Sequence, residues 1–297
     1  MASERSSAES RSSHLSSDPT IGTDASANSM WEESFDTENH GVSTKRDYSP
    51  VSWSEYFEMM DDVVIGSGET KDVFRVYKSG QDGPLLVLLH GGGHSALSWA
   101  VFTAAMTSRV TCRVLAMDLR GHGATQVRHA DDLSTQTMSR DVANVVRATY
   151  GEIPPPIILV GHSMGGAIAV HAASGALLPS VVGLVAIDVP CSVYSWRIDL
   201  SKAEKYWDGW FRGISNLFLS CNVPKLLLLA GIDRLDRDLT IGQMQGKFMM
   251  QVLPPCGHAV HEDTPDKVAD ALASFMIRHK FAEARSELKS SSYPFMR

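Results

Sequence analysis

The most constraining stretch of the chain is residues 157–166, Ile-Ile-Leu-Val-Gly-His-Ser-Met-Gly-Gly. Four apolar residues suited to a buried strand run into a turn that carries Ser163 between Gly161 and Gly165, and Ala167-Ile-Ala-Val170 then opens a helix. A strand, a sharp turn and a helix around Gly-x-Ser-x-Gly make a nucleophile elbow, whose strained turn lifts a serine hydroxyl above the sheet edge. Glycines two positions to either side let strand and helix approach without colliding side chains. The same five-residue pattern also recurs by chance as a glycine-rich connection with a helix-capping serine, so its surroundings decide between the two.

Those surroundings are globular. The 297 residues are 43% hydrophobic and 21% charged, enough to bury one sizeable core. A net charge of −7 without a cluster of Lys and Arg argues against a nucleic-acid partner. No apolar run nears the ~20 residues that cross a bilayer, so no membrane partner is expected either. The four cysteines, Cys112, Cys191, Cys221 and Cys256, show no C-x-x-C pair and no metal-ligand spacing, which predicts reduced, packed thiols and no bound metal. Residues 1–46 are rich in Ser, Asp and Glu and nearly without apolar residues before Trp31. They are expected to be a disordered tail, and their lack of an apolar leader predicts an intracellular protein. A folded domain over 47–283 and a flexible C-terminal tail over 284–297 complete the expected organisation.

Along the chain, strands are expected at 63–65 and 73–77 as an edge hairpin, then at 85–89, 114–117, 157–160, 182–187, 226–230 and 248–253. Helices are expected over 98–106 and 134–150, after Ser163, over part of 194–218, and from Pro265 onward with Thr264 as its cap. This alternation predicts an α/β fold, a mainly parallel sheet with an antiparallel start and helices on both faces. Ligands of such sheets bind beyond the carboxyl ends of the strands. His90, Ser163, Asp188, Asp233 and His258 all follow predicted strands, so they can converge on one edge.

A serine hydroxyl is a weak nucleophile at neutral pH and needs a base within hydrogen-bond reach and a group that orients the base. His258 is the best candidate base: it follows the last strand and comes after both the serine and the candidate acids, the Ser, acid, His order of α/β-hydrolases. His94, His122, His162 and His171 are read as surface or packing residues. The oxyanion of an acyl-transfer intermediate needs backbone N–H donors, here Met164 just after the serine and Gly92 in the His90-Gly-Gly-Gly93 run. Asp188 and Asp233 are both candidates for the acid, and spacing alone favours Asp233.

Several longer segments carry a more specific resemblance. They are FRVYKSG at 74–80, LLHGGGHSALSWAVF at 88–102, GHSMGGAIAVH at 161–171, EKYWDGWFR at 204–212, LTIGQMQGK at 239–247 and CGHAVHED at 256–263. In these the chain resembles the protein phosphatase methylesterases over most of residues 53–281. The resemblance implies an α/β-hydrolase fold and a serine carboxylesterase, free of cofactors. Its substrate would be the methyl ester on the C-terminal leucine of the type 2A protein phosphatase catalytic subunit, in the cytoplasm or the nucleus. It makes Ser163 the nucleophile, His258 the base and Asp188 the acid, with Asp233 as runner-up. The chain departs from the family in one place. Members carry a long insertion where Asp188 and Trp196 are joined here only by residues 189–195, so the lid over the cleft is expected to be missing. That departure motivates two other readings, a weakly active or inactive phosphatase-binding form that docks through the aromatics of 206–211, and a broader hydrolase of small esters.

Overall fold

The computed structural model describes residues 49–190, 201–253 and 255–285. The expectations for the N-terminal tail, for residues 286–297, and for Cys191 and Trp196 in the shortened junction lie outside them. Apart from Ser49, everything described belongs to one unit, Pro50–Arg297.

Its strands are β1 (Met59–Ile65), β2 (Asp72–Ser79), β3 (Leu85–Leu89), β4 (Arg113–Met117), β5 (Ile157–His162), β6 (Val181–Ile187), β7 (Lys225–Leu229) and β8 (Met249–Val252). They form a single sheet in the order β1-β2-β4-β3-β5-β6-β7-β8. The pairings β1–β2 and β2–β4 are antiparallel and all others are parallel. The helices are α1 (Ala100–Arg109), α2 (Thr135–Tyr150), α3 (Met164–Ser174), α4 (Ser201–Phe211), α5 (Ile214–Ser220), α6 (Arg237–Met244), α7 (Val260–Asp263) and α8 (Pro265–Arg278).

Successive strand residues point to opposite faces, which explains the continuous apolar runs: both faces are covered. Val87, Leu89 and Leu159 enter a core with Met138 and Val142 of α2, Ile168 of α3 and Phe218 of α5. Leu86, Leu88 and Val160 enter a second core with Phe102 of α1 and with Val268, Leu272 and Phe275 of α8. The sheet is thus the middle of three layers, and its parallel strands deliver their carboxyl ends to one edge.

Several boundaries differ from the sequence expectation for local reasons. Strand β1 starts at Met59, before its apolar stretch, because backbone pairing to β2 and ion pairs from Arg75 to Asp62 and Lys78 to Asp61 hold a mostly exposed edge. The expected helix over 98–106 is a 3-10 turn, Ala96–Trp99, that passes into α1. Ser134 caps α2 by accepting from Thr137 N–H, as expected of a Ser at that position. Thr264 occupies the cap position of α8 with Pro265 following, but its hydroxyl donates back to Val260 C=O because the short α7 offers that carbonyl directly.

Of the α4 aromatics, Trp210 is packed into the core and Tyr206, Trp207 and Phe211 are partly buried against it. Trp210 is 2% exposed and its Nε1–H donates to Leu133 C=O at 2.7 Å, and the Tyr206 hydroxyl donates to Asp131 C=O at 2.7 Å. Trp207 and Phe211 pack against the same core. A docking role for 206–211 therefore loses Trp210 to the interior, while Tyr206, Trp207 and Phe211 stay partly exposed. Trp210→Ala is expected to lower the unfolding free energy by about 3–5 kcal/mol in urea titrations, the range for deleting a buried large aromatic. A change under about 1 kcal/mol would mean that α4 is not anchored this way.

Candidate active site

The elbow is built by backbone approaching backbone. Ser163 has φ 49° and ψ −118°, a strained conformation for a residue with a side chain, and it is 4% exposed. A Cβ on Gly161 would collide with the Gly165 carbonyl, and one on Gly165 would collide with the Leu89 and His90 carbonyls. Ser163 N–H donates to Ile187 C=O at 3.0 Å, which fastens the turn to the end of β6. Helix α3 begins at Met164, and the N–H groups of a first helical turn have no intrahelical acceptor. The loop after β3 lies against this helix start: a Cβ on Gly92 would come 3.9 Å from Met164 Sδ, ordinary contact.

His90 fixes that loop. Its Nδ1–H donates to Gly91 C=O at 2.8 Å, and its Nε2 accepts from Leu119 N–H at 3.0 Å, so the ring is held in one neutral tautomer. Burial pushes its pKa down to about 3. Asp118, at the end of β4, accepts from Ala96 N–H and Ala124 N–H, both at 2.7 Å, and so ties the following segments to the same edge.

Asp188 ends β6 with φ 45° and is fully buried. Its N–H donates to Leu228 C=O at 2.8 Å, and its Oδ1 accepts from Ala230 N–H at 3.1 Å. Its Oδ2 accepts from His258 Nδ1–H at 2.6 Å, and the guanidinium of Arg234 stands 3.8 Å away. Asp233 lies on the 3-10 turn Ile232–Arg234 with its side chain 72% exposed and faces Arg234 at 3.8 Å. Spacing therefore pointed to the wrong one of the two acids as the partner of the histidine. The short junction also leaves Asp188 buried and bonded.

The edge thus gathers the elbow serine, the Asp188–His258 pair, Gly92 and Met164. His162 belongs with them. It is fully buried, and its Nε2–H donates to His258 C=O at 2.8 Å, so the elbow holds the loop that carries His258. The sequence expectation of a packing histidine at 162 is right in kind, but it misses that what His162 packs against is the site. His261 carries no motif of its own, but its spacing of three from His258 places both in one turn before α8. Its ring lies 4.6 Å from that of His162 and 4.1 Å from that of Trp99. His94, His162 and His261 bring one ring nitrogen each within 4.8 Å of one another.

This set of parts, an elbow serine, a carboxylate–imidazole pair and backbone N–H groups at a helix start, is what acyl transfer requires. Comparisons agree on the class. The model of the alpha/beta hydrolase fold matches residues 84–221. A putative aryl esterase from Burkholderia cenocepacia, 16% identical, superposes with a TM-score of 0.59 over 73% of this chain and 98% of that one. The thioesterase domain from the curacin biosynthetic pathway, 18% identical, gives 0.53 over 74% of this chain and 99% of that one. At these identities the likeness concerns the fold alone, and that fold is the α/β-hydrolase.

Closer relatives narrow the class. Protein phosphatase methylesterase 1 of Bos taurus is 51% identical over 341 residues, covering 82% of this chain and 90% of the relative. The probable protein phosphatase methylesterase 1 of Caenorhabditis elegans is 40% identical, with 81% of each chain covered, and that of Schizosaccharomyces pombe is 35% identical over 77% and 85%. The chain belongs to the protein phosphatase methylesterase family and is a hydrolase. The aligned span of 341 residues with the bovine relative exceeds the 297 residues of this chain, so that relative carries internal sequence that this chain lacks. No helix among the described residues is long and apolar enough to cross a membrane.

The buried histidines make stability depend on pH with a definite sign. His90 and His261 titrate at about 3 and His162 well below the ordinary value of 6.5, in each case chiefly because burial disfavours the charged ring. Below 6.5 the unfolded chain takes up protons that the folded chain refuses, so their contribution is full above that pH and is lost as pH falls toward 3. Urea titrations are expected to show unfolding free energy falling between pH 7 and 4, by up to ~1.4 kcal/mol per pH unit for each such ring. A flat profile over that interval would contradict the neutral, buried state.

Proposed function

We propose that the protein is a serine carboxylesterase that removes the methyl ester from the C-terminal leucine of the type 2A protein phosphatase catalytic subunit. The observation that carries the chemistry is the 2.6 Å bond between His258 Nδ1–H and buried Asp188, on the edge where the strained Ser163 turn ends β5. The substrate rests on the family and on the segments quoted from the sequence. An intracellular setting, cytoplasmic or nuclear, follows from that substrate.

In this reading the Ser163 Oγ attacks the ester carbonyl carbon while His258 Nε2 takes its proton. Asp188 holds the ring in the required tautomer and stabilises the imidazolium. The N–H groups of Gly92 and Met164 stabilise the oxyanion. Collapse of the intermediate breaks the bond to methoxide, which leaves as methanol with the proton from His258. Water then attacks the acyl-enzyme, giving up a proton to His258, and the free carboxylate departs as Ser163 regains its hydrogen. Every proton is carried by the chain's own residues, and the route uses no cofactor.

The test is a mutant series read on a small activated ester and by fluorophosphonate labelling. Ser163→Ala is expected to abolish labelling, and Asp188→Asn to lower kcat by about 10⁴-fold, since the amide leaves the histidine in the wrong tautomer. Asp233→Asn is expected to stay within about twofold of wild type, as an exposed side chain outside the site. Equal labelling of wild type and Ser163→Ala, or a larger loss at Asp233 than at Asp188, would overturn the assignment.

A further inference from the structure

The reaction proposed above uses one histidine, yet several more crowd the same edge. Three of them share a pattern. His162 Nε2–H donates to His258 C=O, His94 Nδ1 bonds Glu262 Oε1 at 3.2 Å, and His261 Nε2 bonds Ser98 Oγ at 3.3 Å. Each ring is thus held through one nitrogen by an oxygen, which leaves the other for a ligand. Such outer partners fix tautomer and orientation in metal-binding histidines. His162 Nδ1 and His261 Nδ1 are buried and have no hydrogen-bond partner, an arrangement costly for packing alone.

We infer that His94, His162 and His261 form a site for a divalent cation of the zinc class, and that its occupancy reversibly inhibits the esterase. Imidazole ligands suit zinc and the neighbouring transition metals rather than magnesium or calcium. One ring nitrogen from each of the three lies within 4.8 Å of the others, whereas tetrahedral zinc with bonds near 2.1 Å wants its ligand atoms about 3.4 Å apart. His94 supplies the adjustment, since its side chain is 27% exposed and lines a cavity of about 720 Å³ with Ser98, Leu97, Val101 and Glu262. The cavity also gives the ion its entry route.

Inhibition follows from position, and this half of the inference rests on the catalytic reading of Ser163. The space that a Cβ on Gly91 would fill lies 2.7 Å from His162 Nδ1 and 3.4 Å from Ser163 Cβ. An ion bound at that nitrogen stands beside the serine and the loop that carries Gly92. Ligation also pulls on the ring that holds the His258 carbonyl.

The test uses the full chain, freed of metal by a chelator and titrated with Co²⁺ and then Zn²⁺. One equivalent of cobalt is expected to give the intense visible bands of a four- or five-coordinate ion, which zinc displaces. Zinc should inhibit small-ester hydrolysis over the same range, and chelator should reverse it. In His94→Ala, with its circular dichroism and metal-free activity preserved, the cobalt bands should vanish and zinc inhibition should weaken at least tenfold. Glu262→Gln should weaken it by about 10-fold through the outer bond to His94, and His129→Ala, an exposed histidine elsewhere, should change nothing. Absence of stoichiometric cobalt bands in wild type, or equal zinc inhibition of wild type and His94→Ala, would overturn the site. Cobalt binding without inhibition of an active enzyme would overturn its inhibitory role. Cobalt binding by a chain that hydrolyses no ester would instead overturn the catalytic reading and leave the metal site standing.

Discussion

Backbone meets backbone where β5 turns into α3, and that approach holds the site together. With no side chain at Gly161 or Gly165, the elbow closes until the Gly165 position faces the carbonyls at the end of β3. Ser163 is then forced to φ 49°, and the first N–H groups of α3 come up beside the Gly92 loop. Asp188, on the neighbouring strand, has φ 45° as well. Positive φ in residues with side chains costs about 1–3 kcal/mol each and persists only where neighbours over-determine it. Here the neighbours are consecutive: Ser163 N–H bonds the end of β6, and Asp188 N–H bonds the end of β7. The parallel sheet is the brace for both strained residues.

A second layer of constraint is electrostatic. The loop that carries Gly92 is held by a neutral His90, which in turn holds Leu119. The next residue, Arg120, is 5% exposed and makes a two-pronged bond to Asp141 of α2, at 2.7 and 3.0 Å, in an almost fully buried pair. Removing one partner of such a pair leaves a buried charge, so α2 and the segment after β4 stay locked together. Buried neutral imidazoles and a buried ion pair therefore support the loop from below. The Asp188–His258 pair shares this sheet edge, with Asp188 fully buried and the His258 side chain 22% exposed.

Much of this was legible in the sequence because the signals were strong and local. Continuous apolar runs at 85–89 and 226–229 predict strands covered on both sides, and the Gly-His-Ser-Met-Gly pattern predicts the elbow by the sterics seen in the structure. The stripe of Met138, Val142, Val145 and Val146 likewise predicts α2. What local reading missed depends on contacts between distant segments. Strand β1 is held by pairing and ion pairs across its edge, so its first four residues carry no apolar period. Spacing favoured Asp233 over Asp188, because spacing does not report which carboxylate the loop of His258 folds back onto. The aromatics at 206–211 suggest a docking surface although core packing is their commoner use, and the bond from Trp210 Nε1–H to Leu133 C=O joins segments far apart in sequence. His162 and His261 were invisible as site neighbours, since a histidine's role follows from what it faces.

The missing internal sequence bears on the substrate more than on the chemistry. A lid excludes water and shapes the groove for a peptide tail, whereas the elbow, the acid–histidine pair and their braces are all contained in the sheet edge. These retained parts are proposed to act on a protein methyl ester. The most direct measurement is release of radiolabelled methanol from intact type 2A phosphatase methylated at its C-terminal leucine, with the free methylated peptide run in parallel. Ser163-dependent release from the intact phosphatase is expected. An enzyme that hydrolyses small esters yet leaves the intact phosphatase methylated would contradict it.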